Sequence, residues 1–197
     1  MTVETAKGSL VRSLQIGRDA MLWKLEGASD YDVRRPLTPT GTNLLGLVKH
    51  LAYVELGYFV DTFGREMPVD TPWHDDVEGG VEDDPHADMV ATAEESRDDV
   101  IDLYRLAWDH AGRTFRHLEL GDTGRVPHWP EDRNEVTLHQ MLVWVIAETH
   151  RHAGHADILR ETLDGLAGHR PDVSNLPEDY DWEAHVARVE QVAQQFR

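Results

Sequence analysis

Apolar side chains recur every three or four residues in four long segments of the chain, and this spacing is typical of amphipathic α-helices. The four segments cover residues 4–28, 41–64, 86–118 and 134–166. A shorter helical pattern follows near residues 181–195, and no strand-like alternation extends beyond a few residues. The pattern therefore predicts an all-α protein, a four-helix bundle with long crossover loops and a short C-terminal helix.

Polar stretches between these segments set the predicted limits of the domain. Residues 65–85 hold three prolines, two glycines and many acidic residues, which indicates a long surface connection. Residues 119–133 form a second predicted loop. We expect residues 1–168 to form the bundle, and residues 169–197 to form a C-terminal extension that packs on it.

Composition narrows the classes of function. The net charge of −18 over 197 residues argues against binding to nucleic acid or to an anionic membrane, because both need basic patches. The absence of Cys excludes a thiol nucleophile, so any thiol chemistry must use a thiol that the substrate brings. No apolar run approaches the ~18 residues of a membrane span and no signal-peptide pattern is present, which predicts a cytoplasmic protein.

The fourth segment carries polar residues on its apolar face. Glu148 and His152 are four residues apart and His155 follows three residues later, so at about 100° per residue they lie within about 60° of arc. The same stripe carries the apolar residues Met141, Val145, Leu159 and Leu163. A charged group that faces a core is costly unless it is paired or bound to a metal. The spacing therefore makes this face a candidate site.

A metal site needs ligands from more than one helix, and the second segment supplies a candidate in His50. This residue borders the apolar stripe of its segment, about 40° from Val54. Two imidazoles and one carboxylate, from His50, Glu148 and His152, would leave one coordination position open, as in catalytic zinc sites. The same set of ligands also suits iron, nickel or another divalent ion.

Each candidate also has an interpretation without a metal. His50 can be a hydrogen-bonded core histidine, and Glu148 with His152 can be an ordinary helical pair worth about 0.2–0.5 kcal/mol. His155 can be a fourth ligand, a group behind a ligand, a substrate contact or a buried hydrogen-bonding residue. Trp144 lies on the same face, and we interpret it as core or pocket wall.

Two blocks of the sequence resemble the DinB-like superfamily, and within it the actinobacterial branch. The first block reads LLGLVKHLAYVE from Leu44 to Glu55, and the second, Trp129 to Gly165, ends in ETHRHAGHADILRETLDG. The resemblance implies a four-helix bundle with a divalent metal at one end, bound by a His on the second helix and by a His/Glu-x-x-x-His pair on a later one. The matching positions here are His50, Glu148 and His152.

Glu148 at the first paired position resembles mycothiol-dependent maleylpyruvate isomerase, and other relatives are mycothiol and bacillithiol S-transferases. The resemblance therefore implies a metal-dependent thiol S-transferase that uses zinc, or else nickel or iron, with mycothiol as co-substrate. Its partners would be a small-molecule thiol and an electrophile, and a homodimer is compatible with it. His155 would be the catalytic residue, as an acid/base group or as an orienting group.

Two other functions stay open. In a metal-dependent hydrolase or isomerase, the ion would activate water or polarise a carbonyl. In a non-enzymatic, stress-related protein, the same site would bind a metal for structural reasons alone.

Overall fold

Six α-helices make up most of the residues that the structure, a computed structural model, describes: 4–71, 84, 86–174 and 176–197. The helices are α1 (Ala6–Trp23), α2 (Asp30–Arg34), α3 (Leu44–Phe59), α4 (Arg97–His117), α5 (Leu138–Asp164) and α6 (Trp182–Ala193). Short 3₁₀ helices cover Asp61–Phe63, Ala87–Met89 and Gln194–Phe196. Two short antiparallel strands, β1 (Thr123–Arg125) and β2 (Glu135–Thr137), form a hairpin. The prediction of an all-α fold is confirmed.

The four long helices pack as a bundle in which α3 contacts α4 and α5, and α1 contacts α5. Helix α3 is the most enclosed of the four, since most of its residues are buried. Any polar side chain on α3 therefore needs a partner inside the protein. None of the helices in the described part of the chain is long and apolar enough to span a membrane.

Side-chain caps fix where the long helices begin. Asn43 accepts a hydrogen bond from the backbone N–H of Gly46 at the start of α3, and Thr137 forms a capping box with Gln140 at the start of α5. Because α5 begins at a defined residue, the direction in which each of its later side chains points around the helix axis is also defined.

The structure differs from the expected helix limits most clearly at α4. This helix begins at Arg97 and not near residue 86, because Ser96 and Asp99 form a capping box that starts it there. Helix α2 and the β1–β2 hairpin were not expected either, since elements of three to five residues are too short to show a periodicity. Of the predicted loop 65–85, residues 72–83 and 85 lie outside the described residues.

The chain that follows α5 is tied to the bundle at Gly168. Its carbonyl accepts hydrogen bonds from the Trp23 Nε1–H, at 3.1 Å, and from the Lys24 ammonium, while its N–H donates to Asp157 at 2.7 Å. Beyond this point, α6 has no buried residue. The domain limits at residues 168 and 169, and the packing of the extension on the bundle, remain predictions.

Candidate metal centre

The fold brings His50 on α3 together with Glu148 and His152 on α5. One ligand atom from each of these side chains lies within 4.8 Å of the other two. The Glu148 Oε1 atom is 2.9 Å from His152 Nε2 and 3.6 Å from His50 Nε2. The two imidazole rings meet edge to face, with their centroids 4.9 Å apart. The three residues expected to form one site therefore do converge.

This convergence follows from the packing of α3 against α5. Residues four apart on a helix lie one above the other on the same face, so Glu148 and His152 point together toward α3. His152 is only 8% exposed, whereas His50 and Glu148 are partly buried. The trio lies on the wall of a cavity of about 710 Å³. Solvent or a small molecule can therefore reach the donor atoms from one side.

The donor atoms have the chemistry and the spacing of a divalent metal site. Zinc ligands stand about 2.0–2.2 Å from the ion, which places neighbouring tetrahedral ligand atoms about 3.4 Å apart. The distances from Glu148 to the two histidines, 2.9 and 3.6 Å, lie on either side of that value. Two imidazole nitrogens and a carboxylate suit zinc, iron or nickel. One side of this donor set is open to the cavity, as the geometry of a catalytic metal site requires.

The protonation of the site favours metal binding. Burial lowers the pKa of His152, the charge of His50 lowers it further, and Glu148 opposes both effects without cancelling them. Burial raises the pKa of Glu148, but the neighbouring His152 and His50 outweigh that effect and leave this pKa below its ordinary value. At neutral pH, His152 is therefore neutral and Glu148 is ionised, the forms in which these side chains bind metals.

His155 lies behind His152 and not in the cavity. Its Nδ1 is 3.4 Å from the Nδ1 of His152, and the ring centroids are 5.3 Å apart. The Nε2 atom of His152, which faces Glu148, is on the other side of that ring. His155 is exposed and does not line the cavity. Its place suits the orienting role better than the acid/base role, and both roles remain predictions.

Asp88 is a member of the site that the sequence did not reveal. It lies in the 3₁₀ helix Ala87–Met89, is 6% exposed, and accepts a hydrogen bond from His50 Nδ1 at 2.6 Å. The contact joins residues 38 positions apart, so no helical spacing could indicate it. The segment was also expected to begin the third long helix near residue 86. In the structure it instead forms a 3₁₀ helix that buries Asp88.

Aromatic side chains form the other wall of the cavity. Trp144 lies one turn before Glu148, is 52% exposed, and contacts Trp129 edge to face with the ring centroids 5.7 Å apart. Tyr58 contacts Trp129 from the α3 side at 6.0 Å. Of the two interpretations of Trp144, pocket wall is therefore correct and core is wrong. The remaining residues that line the cavity are Val54, Gly57, His86, Met89, His128 and Arg151.

A family model for mycothiol S-transferases matches residues 9–165, which is more than half of the chain. The chain belongs to the mycothiol S-transferase family. The resemblance to the DinB-like proteins, inferred from two blocks of sequence, is thereby confirmed. The matched range contains His50, Glu148 and His152 of the candidate metal centre and ends one residue after α5. Comparisons with curated proteins and with solved structures gave no match.

Proposed function

We propose that this protein is a metal-dependent S-transferase that joins the thiol of mycothiol, or of a similar small thiol, to an electrophile. One observation carries the proposal: two imidazoles and a carboxylate meet on the wall of an open cavity in a member of the mycothiol S-transferase family. Because the chain has no Cys, the reacting thiol has to come from the co-substrate.

The residues that would bind the metal are His50, Glu148 and His152. A divalent ion bound there, zinc by preference and nickel or iron as alternatives, supplies the positive charge that lowers the pKa of a thiol. The carboxylate of Glu148 contributes a negative charge that attracts the ion. In the metal-free protein the neutral His152 donates a hydrogen bond from Nε2 to the Glu148 carboxylate at 2.9 Å, so an ion would take the place of that proton at Nε2. His155 would hold the ring of His152 from behind.

The transfer itself requires a thiol and an electrophile side by side. The thiol would release its proton to solvent, and its sulfur would form a bond to the electrophilic atom. The bond between that atom and the leaving group would break, and the leaving group would depart with the electron pair of that bond. The exposed face of Trp144 and the ring of Tyr58 give the apolar part of an electrophile a surface next to the donor atoms. Aromatic rings stack or meet edge to face on such surfaces. We therefore propose flat, apolar electrophiles as the preferred class.

The first experiment is elemental analysis of tag-free, dialysed protein, with His152→Ala beside the wild type. The matched control is His139→Ala, since His139 lies on the same helix but is exposed and outside the cavity. We expect close to one metal per chain in the wild type and in the control, and almost none in His152→Ala. Equal metal in all three proteins would contradict the proposed ligands.

The second experiment measures conjugation of mycothiol to a panel of aromatic and aliphatic electrophiles by metal-loaded protein. We expect acceleration that disappears in His152→Ala and is retained in His139→Ala. Turnover of the panel without any thiol would favour the hydrolase or isomerase. Stoichiometric metal with no acceleration would favour the structural, non-enzymatic site.

A further inference from the structure

A strap of chain, residues 86–95, runs along α3 beside the metal centre and carries Asp88. Asp88 is 6% exposed, and its carboxylate lies 2.6 Å from the Nδ1 atom of His50. A buried carboxylate needs a hydrogen-bond donor, and an ionised carboxylate can only accept. The short contact therefore calls for a proton on Nδ1 of His50.

The strap is held against α3 at two points around His50. A Cβ atom on Gly46, one turn before His50, would lie 1.9 Å from the carbonyl oxygen of Met89. Only a residue without a side chain allows this approach. Next to His50, the Lys49 ammonium donates a hydrogen bond to the carbonyl of Val90 at 2.9 Å.

The far end of the strap is fixed by charged side chains. Lys49 pairs with Glu95 at 2.8 Å, and Arg34 donates to the carbonyls of Thr92 and Glu95 at 3.2 and 2.6 Å. The strap thus connects α2, α3 and the start of α4. Backbone packing and ion pairs along the strap therefore fix the position of the Asp88 backbone next to His50. This position does not depend on the contacts of the Asp88 side chain itself.

The two nitrogens of an imidazole are coupled, since in the neutral ring one carries the proton and the other carries the lone pair. With the proton on Nδ1 and directed at Asp88, the lone pair of His50 lies on Nε2. That atom is the one that faces Glu148, at 3.6 Å. In the opposite tautomer, the Nδ1 lone pair would face a carboxylate, which is repulsive.

We propose that Asp88 is a positioning residue, held by the strap, that fixes the tautomer and the ring orientation of His50 so that Nε2 is ready to bind a metal. The inference rests on the proposed metal centre, because it assigns a role toward that ion. Carboxylates behind metal-bound histidines typically change metal affinity by about 10–100-fold. Nothing in the spacing of the sequence assigns this role to Asp88.

The first test reads the tautomer directly in metal-free protein. Long-range ¹H–¹⁵N correlation spectra of ¹⁵N-histidine-labelled protein at neutral pH distinguish a proton on Nδ1 from a proton on Nε2. We expect His50 to carry it on Nδ1 in the wild type, and to shift toward the Nε2-protonated form in Asp88→Ala. A wild-type ring protonated on Nε2, or an Asp88→Ala spectrum unchanged at His50, would overturn the proposal.

The second test measures zinc affinity by competition with a chromophoric chelator. We expect Asp88→Ala to bind zinc about 10–100-fold more weakly than the wild type, and Asp88→Asn, which keeps an accepting oxygen, to recover part of that loss. Asp102→Ala is the control, because it removes one exposed carboxylate on α4 that belongs neither to the strap nor to the lining of the cavity. Equal losses in Asp88→Ala and Asp102→Ala would show a general effect of charge and would overturn the proposal.

The contribution of the strap can be tested separately from that of the Asp88 carboxylate with a variant that changes no polar group. Gly46→Ala should push Met89 away and weaken zinc binding, although every ligand and Asp88 itself remain. Gly154→Ala is the matched control, since it lies on α5 beside His152 with open space around it. Circular dichroism checks that both variants fold. Unchanged zinc affinity in a folded Gly46→Ala variant would contradict the role of the strap.

These measurements distinguish the two proposals. If the wild type binds no zinc, the proposed metal centre fails, while the tautomer spectra still decide whether Asp88 orients His50. If the wild type binds zinc and Asp88→Ala binds it equally well, the metal centre stands and the role of Asp88 fails.

Discussion

Two polar clusters are buried on α3 only five residues apart, and they are built in opposite ways. Glu55 pairs with Arg18 of α1 through two parallel hydrogen bonds, one of them 2.9 Å long, and both side chains are almost fully enclosed. His50 meets Glu148 and His152, where one carboxylate and two imidazoles face a cavity. The nearest guanidinium is that of Arg151, an exposed residue 3.8 Å from Glu148.

The difference shows what marks a binding site. Burial alone does not distinguish the clusters, since the Arg18–Glu55 pair is the more deeply buried of the two. In that pair, each charge already has its partner, and the Arg18 guanidinium also donates a hydrogen bond to Gln15 at 3.1 Å. In the centre around His50, electron-pair donors converge without an equivalent cation. Unmatched donors that share an open space are therefore the informative feature.

Replacement of Glu by Gln should lower stability in the first cluster and zinc affinity in the second. The largest effect is expected at Glu55. Glu55→Gln leaves the buried Arg18 charge without its partner, which should lower the free energy of unfolding by about 3–5 kcal/mol. Urea unfolding of metal-free protein measures this change. The double variant Arg18→Met/Glu55→Leu should recover most of the loss, and zinc affinity should not change in any variant that remains folded.

Glu148→Gln should affect metal binding and leave stability nearly unchanged. Gln keeps the size of the side chain but removes the negative charge, so zinc affinity should fall by more than the roughly 10–100-fold typical of a residue behind a ligand. The free energy of unfolding of the metal-free protein should change by less than about 1 kcal/mol, because Glu148 is partly exposed. A large loss of stability with intact zinc binding would reverse the assignment of the two clusters.

Acid should weaken the centre in a way that depends on His152. The pKa of His152 in the folded protein is lowered by burial, whereas in the unfolded chain it is about 6.5. Between these two values the unfolded state binds more protons, so stability should decrease as the pH falls below about 6.5. Zinc affinity should fall over the same range, because a protonated imidazole cannot bind a metal.

Urea unfolding of the metal-free protein from pH 7.5 down to pH 5.5 checks this expectation, with His152→Gln for comparison. The variant should show a smaller decrease in stability than the wild type over that range. Parallel curves for the two proteins would mean that His152 does not titrate as its burial indicates.

The smallest expected effect concerns the aromatic wall. Trp144→Ala should raise the KM for aromatic electrophiles by about 2- to 10-fold, the range that corresponds to the ~0.5–1.5 kcal/mol of an aromatic contact. Steady-state kinetics with aromatic and aliphatic electrophiles measure it. Trp182→Ala is the control, because Trp182 is similarly exposed but lies on α6. An equal rise in the KM for aliphatic electrophiles would contradict the proposed preference for flat substrates.

The sequence predicted the long helices and the three converging residues for the same physical reason. Helical periodicity describes neighbours within one helix, so it placed Glu148 and His152 on one face together with the apolar stripe of α5. His50 could be added because it borders the apolar face of α3.

Contacts between distant segments could not be predicted in this way. Arg18 and Glu55 are 37 residues apart, and His50 and Asp88 are 38 apart, on elements whose relative rotation no local pattern records. The start of α4 was expected too early for the same reason. The residues of the strap are compatible with a helix, but their contacts with Gly46 and Lys49 of α3 hold them in a different conformation. The sequence therefore indicated which residues lie on the same face of one helix, but not which residues of different elements contact each other.

The location of the centre between helices also links it to the lifetime of the protein. His50 lies on α3, which packs on α4, while Glu148 and His152 lie on α5, which packs on α1. An ion shared by these residues would join two halves of the bundle across about half the length of the chain. A ligand present at 100 times its dissociation constant stabilises the folded state by about 2.7 kcal/mol. Metal starvation would then increase turnover by proteases, so that cellular abundance as well as catalysis would follow the supply of metal.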